Sequence, residues 1–203
     1  MENINFKYKE YSLEEIKRLY YLDYLCFPAK SQVENVAITL QTLFYLFPQL
    51  DSCSTPSIQA SLSKTINILS YSVIDAIVIL LGIKMQKKCE FCRNKGKCKY
   101  YSNSIFQSRS KTNEFNAFKN AKEYLMQCQI INLNDSAEKY FNDYRDIRNY
   151  VHITKNGSIM TDDSNFTKEK TRELLNFMQQ FFNHLKSNYD KFLKKNGCHY
   201  YGI

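Results

Sequence analysis

Turn-forming residues are so scarce in this sequence that its regular elements must be long. Five glycines and three prolines punctuate 203 residues, and the runs between them are rich in Leu, Ile, Lys, Glu, Asn, Tyr and Phe. Few positions can therefore break a helix. No strand-like alternation, repeat or low-complexity linker competes with this reading, so the sequence predicts an all-α fold. A chain that is 44% hydrophobic and 15% aromatic can bury one core, which fits a single domain over 1–203.

Local signals predict six helices, at 12–27, 31–47, 56–87, 112–131, 136–153 and 167–195. Ser12 with Glu15, Ser31 with Glu34 and Asp135 with Glu138 each set a capping side chain three residues ahead of a glutamate, the spacing of a capping box. Thr55 before Pro56 opens the long central helix. In the last helix Leu174, Met178, Phe181, Leu185, Tyr189 and Phe192 recur at three or four, and Asn196–Gly197 supplies the stop.

Consecutive helices on short links run antiparallel. The expected architecture is thus an antiparallel bundle over 56–195, with 1–50 as an N-terminal elaboration and 88–111 as an insert. Under that alternation Cys26, the insert and His152 share one end of the bundle. Cys53, Cys128, Cys198 and His199 lie at the other.

The amino terminus lacks a basic start followed by an apolar run, so a cytoplasmic protein is expected. Seven cysteines, an odd number, then suit reduced thiols or metal ligands better than a disulfide framework. The most apolar stretch, 73–83, contains Asp75 and falls short of the roughly 18 uncharged residues of a membrane span, which predicts a buried core helix and no membrane.

The net charge of +8 is concentrated. Residues 84–111 hold nine Lys or Arg against one acid, Glu90, and the rest of the chain balances. Lys87, Lys88, Arg93, Lys95, Lys97 and Lys99, interleaved with Phe91, Tyr100, Tyr101 and Phe106, suit a phosphate backbone with bases to stack on. A solvated, solubilising loop fits the same charges. No Ser/His/Asp set, glycine-rich phosphate loop or paired-carboxylate site is visible, and three histidines (152, 184, 199) are too few for hydrolytic zinc chemistry.

On a helix over 136–153, Phe141, Arg145, Arg148 and His152 fall within about 60° of one another. A histidine can exchange a proton with a 2′-hydroxyl or a leaving oxygen, and arginines can neutralise the phosphate between them. Surface ion pairs with Asp143 and Asp146 would produce the same spacing.

The string RDIRNYVH at 145–152, ahead of a polar loop and a long amphipathic helix, resembles the HEPN superfamily (higher eukaryotes and prokaryotes nucleotide-binding). That family's motif is an arginine, often with a polar residue after it, and a histidine four to six positions beyond. Arg145 with Asp146 has the spacing to His152, whereas Arg148 with Asn149 has the dipeptide. The resemblance implies a helical bundle, a homodimer with facing motifs, and in many members a metal-independent endoribonuclease leaving a 2′,3′-cyclic phosphate. Such members serve toxin–antitoxin and phage-defence systems; others only bind RNA or a protein partner such as a nucleotidyltransferase-type antitoxin. Catalysis would rest on Arg145, Arg148, Asn149 and His152, without a cofactor. Asp75, expected to be buried, would pair with Arg145 or Arg148, or reach water at a bundle edge. Arg145 and His152 lie about 10.5 Å apart along a helix, which favours two subunits closing on one phosphate.

Cys89, Cys92 and Cys98 form a Cys-x2-Cys-x5-Cys pattern in the insert. Two thiolates two residues apart can clasp a structural zinc, and the expected fourth ligand is Cys26, at the same end of the bundle. Three unligated cysteines in a basic loop are the alternative.

Overall fold

The computed structural model describes residues 10–26, 30–112, 117–132, 141 and 166–196. The described residues form seven helices and no strand. They are α1 (Leu13–Leu19), α2 (Leu22–Cys26), α3 (Lys30–Ser52), α4 (Pro56–Glu90), α5 (Ser104–Thr112), α6 (Phe118–Gln127) and α7 (Lys168–Lys195). The predicted helix 136–153 lies outside them except for Phe141, as does the Asp135–Glu138 capping box.

Helix α4, 35 residues and about 52 Å long, is the axis of the molecule. Helices α2, α3, α6 and α7 all pack on it. An element so surrounded must be apolar on several faces, and Ile66, Val73, Ile74, Ile77, Val78, Leu80 and Leu81 are buried around its circumference. The N-terminal helices thus belong to the same core as the rest. By length and composition α4 is also apolar enough to cross a membrane, contrary to the expectation from 73–83 alone. The flanking Asn67 and Ser70 continue the helix instead of ending it.

Several local signals form as expected. The Ser12 hydroxyl accepts from the Glu15 amide while the Glu15 carboxylate accepts from the Ser12 amide, closing the capping box of α1. Thr55 and Pro56 open α4, although the Thr55 side chain makes no capping bond. The apolar stripe of α7 is buried from Leu174 to Leu193. Thr167 caps this helix by accepting from the Lys170 amide.

Other boundaries move. The predicted helix 12–27 is two helices, because the chain reverses at Tyr21, whose φ is 55°. Helix α3 runs through Pro48 to Ser52: Leu50 is buried, and Asp51 accepts from Arg172 at 2.6 Å and pairs with Lys168 at 3.3 Å, so tertiary contacts hold the turn that proline weakens. Ser31 lies inside α3 and is not its cap.

The largest correction concerns direction. Within the predicted loop 88–111, residues 104–112 form α5, which adds a reversal. Phe106 at the start of α5 meets Tyr124 near the end of α6, with ring centroids 5.3 Å apart, so these two run antiparallel. Tyr124 in turn meets Cys89 at the end of α4, oxygen to sulfur 3.8 Å. Helices α4 and α6 therefore end together.

Helix α7 is parallel to α4 as well. Asn67 donates to the Thr171 hydroxyl at 2.9 Å, and farther along both helices the Lys84 ammonium lies 5.3 Å from the Tyr189 ring. Cys128 and the C-terminal end of α7 consequently sit at the insert's end, not opposite it.

The buried Asn67–Thr171 bond ties the two helices. Replacing Thr171 with Val leaves the Asn67 amide with only its bond to the Ser63 carbonyl oxygen at 2.7 Å, one of its two hydrogens unpaired, and should cost about 1–3 kcal/mol, read as a lower urea midpoint at unchanged slope. Asn67→Ala combined with Thr171→Val should cost less than the sum of the single changes.

Candidate nucleic-acid interface

The basic insert begins where α4 runs out of neighbours. Its tip is open: Phe91 is 85% exposed, and Arg93, Lys95 and Lys97 stand in solvent around it. Successive backbone turns, Cys92 to Cys89, Lys95 to Cys92 and Cys98 to Lys95, shape the loop. Among the described residues Lys87, Lys95, Lys97 and Lys99 make no ion pair with a carboxylate, so their field is uncompensated locally. Lys88 lies farther in, 6.0 Å from the Tyr189 ring.

The aromatic residues divide. Phe91 is presented, whereas Tyr100 (6% exposed) and Phe106 (0%) belong to the core and are not free to stack on bases. Tyr100 packs edge-on against Phe192 of α7 at 4.9 Å and carries the Lys99 ammonium over its ring at 4.9 Å. This contact seats the insert on the end of α7. Asn103, whose side-chain amide donates to the Gln127 side-chain oxygen Oε1, seats it on α6.

The expected zinc set does not form. Among the described residues no three of His, Cys, Asp and Glu converge on a metal position. Cys89 turns into the core toward the Tyr124 hydroxyl, while Cys92 and Cys98 stay half-buried in the loop. Cys26 is buried beside Lys84, and burial pushes its thiol up to about 12. The Tyr124 contact holds Cys89 in the core, and the four cysteines are not gathered as a ligand set in this structure.

Lys84 belongs to a different environment from its charged neighbours. Its ammonium donates to the Tyr24 carbonyl oxygen and lies over the Tyr24 ring at 5.1 Å, between α2, α4 and α7. Burial, followed by the nearby Lys88 charge, pulls its pKa down to about 8. Beside it the Tyr24 hydroxyl donates to Asp190 at 2.5 Å and Lys186 donates to the same carboxylate at 3.0 Å. Burial alone would raise the Asp190 carboxyl, but these two donors outweigh it and hold it below its usual value.

Arg145, Arg148, Asn149 and His152 lie outside the described residues. Two described residues bear on them. Phe141, which opens their expected face, is buried against Phe177 and Phe181 of α7 at 6.0 and 5.3 Å and stacks on Phe118 of α6 at 6.0 Å. Asp75 is half-buried, not fully buried as expected, and is the one charged residue of α4 between Lys64 and Lys84. Because Asn67 is level with Thr171 and Lys84 with Tyr189, Asp75 is level with the stretch of α7 that receives Phe141.

Compared with family models, curated proteins and solved structures, the chain matches none. The resemblance to the HEPN superfamily therefore stands on the 145–152 string.

Two outcomes follow from this geometry. EDTA should leave the melting temperature unchanged; a clear drop would mean that the cysteines are gathered on a metal after all. The unfolded chain keeps its Lys84 proton up to the ordinary 10.5 whereas the folded chain releases it at about 8, so stability should rise as pH increases through that window. Lys84→Met should melt higher below pH 8 and flatten that rise in a pH series of thermal melts.

Proposed function

We propose that this protein acts on RNA as a metal-independent endoribonuclease of HEPN type. The observation that best supports this is the shared level of Asp75 and Phe141: the one charged residue of α4 between Lys64 and Lys84 is level with Phe141, four residues ahead of RDIRNYVH. A half-buried carboxylate there suits an arginine partner one turn beyond Phe141, which is the position of Arg145.

In this reaction the 2′-hydroxyl loses its proton to His152 and its oxygen attacks the adjacent phosphorus. The bond from phosphorus to the 5′-oxygen breaks, and that oxygen takes up a proton, leaving a 2′,3′-cyclic phosphate and a 5′-hydroxyl. Arg145 and Arg148 neutralise the charge that builds on the non-bridging oxygens, and Asn149 orients them. A homodimer would bring the two ends of the motif within reach of one phosphate. The insert, about 22 Å along α4 from Asp75, would hold flanking RNA through Arg93, Lys95 and Lys97.

Lys95, Lys97 and Lys99, which make no ion pair among the described residues, equally favour a second reading, a non-catalytic HEPN-like module that binds RNA or an antitoxin protein. Turnover separates the two. Purified protein in EDTA should cleave RNA to products ending in a cyclic phosphate, and His152→Ala should abolish this while leaving RNA binding intact. Cleavage retained in that variant would sink the catalytic assignment, and salt-sensitive binding without turnover by the wild type would establish the module.

A further inference from the structure

Beside the root of the insert, the ends of α6 and α7 enclose a cleft of about 410 Å³, within the roughly 300–1,000 Å³ of small-molecule sites. Its floor is apolar, formed by Tyr100, Ile131 and Phe192. Its rim carries the carboxamides of Gln129, Asn132 and Asn188 and the ammonium groups of Lys191 and Lys195. No acid lines it. Lys191 and Lys195, one turn apart on α7, are exposed and make no ion pair among the described residues. An anion with a flat hydrogen-bonding edge is the ligand class that this lining matches.

Gln129 adds an independent sign. At the end of α6 the Gln129 amide donates to Met126 and the Ile130 amide donates to Leu125, each at 2.9 Å, which is a Schellman turn with Gln129 in its left-handed position. Glycine normally occupies that position, yet here a glutamine sits at φ 59°, at a cost on the order of 1 kcal/mol. The carboxamide makes no hydrogen bond among the described residues and lines the cleft. Asn188 donates to the Ile130 carbonyl oxygen at 3.2 Å, which orients its amide and leaves its own carbonyl oxygen available as an acceptor.

We propose that this cleft binds one unpaired nucleotide, with its phosphate on Lys191 and Lys195 and the edge of its base on Gln129, Asn132 and Asn188. Carboxamides offer a donor and an acceptor side by side, as base edges do, and an unpaired base has that edge free. The cleft lies about 18 Å along α7 from the level of Phe141. Only the source of the nucleotide, an RNA strand as opposed to a free mononucleotide, rests on the RNA-acting reading.

The test uses the full chain, a short fluorescent single-stranded RNA and, separately, the four nucleoside 5′-monophosphates. Gln129→Gly relaxes the turn, so it should melt no lower than wild type while losing about 2- to 10-fold in affinity, the equivalent of one hydrogen bond. Lys191→Ala with Lys195→Ala should lower the slope of log affinity against log salt by about 0.7, one single-strand phosphate contact. RNA binding weakened in both variants supports the cleft within an RNA site. Mononucleotide binding weakened in both, with no RNA binding by the wild type, supports the cleft and removes the RNA-acting reading. RNA binding unchanged in both variants overturns the cleft and leaves that reading standing. Binding of neither probe overturns both.

Discussion

The parallel seam between α4 and α7 is the constraint on which the remaining structure depends. Two helices that run the same way cannot be neighbours in sequence, so the chain between them must travel the length of the bundle and return. The seam is apolar along most of its length, with a polar pin at one end, where Asn67 meets Thr171, and the Lys84–Tyr189 contact toward the other. A buried amide that finds its partner in one register alone penalises every slipped alignment, since an unpaired group is expensive in the core. Register along this seam is what brings Asp75 level with Phe141 and carries Phe192 to Tyr100.

This arrangement separates two regions of polar chemistry along one axis. Near the middle, Asp75, the one charge of α4 between Lys64 and Lys84, is level with Phe141. At the end, the exposed insert and the carboxamide-lined cleft share one rim. The same end carries the interior cluster around Lys84, where an ammonium whose pKa is drawn down to about 8 lies over tyrosine rings and, among the described residues, pairs with no acid. Charge at this end of the molecule is therefore of two kinds, one facing solvent and one stabilising the join of α2, α4 and α7.

Particular residues show why some features were legible in the sequence. The stripe from Leu174 to Phe192 and the Ser12–Glu15 box are written in spacings of three and four, which the geometry of a helix dictates locally. Pro48 misled, because its cost to the helix is offset by Leu50 in the core and Asp51 on α7, contacts that lie more than a hundred residues away in sequence. Tyr21 and Gln129 misled for a related reason: left-handed backbone at non-glycine residues carries no sequence signal and is maintained by the surroundings. The basic, cysteine-rich composition of 88–111 concealed α5, whose apolar anchor is essentially Phe106.

What the sequence by itself determined is the helical class, the identity of the core faces and the concentration of charge, because these depend on periodicity and composition within one element. Direction was decided by tertiary structure alone. A single short helix, α5, reversed the direction of α6 and carried Cys128 to the insert's end, while packing against α4 set α7 parallel to it. Spacing governs which residues share a turn of backbone, whereas the burial of whole helix faces governs which turns meet.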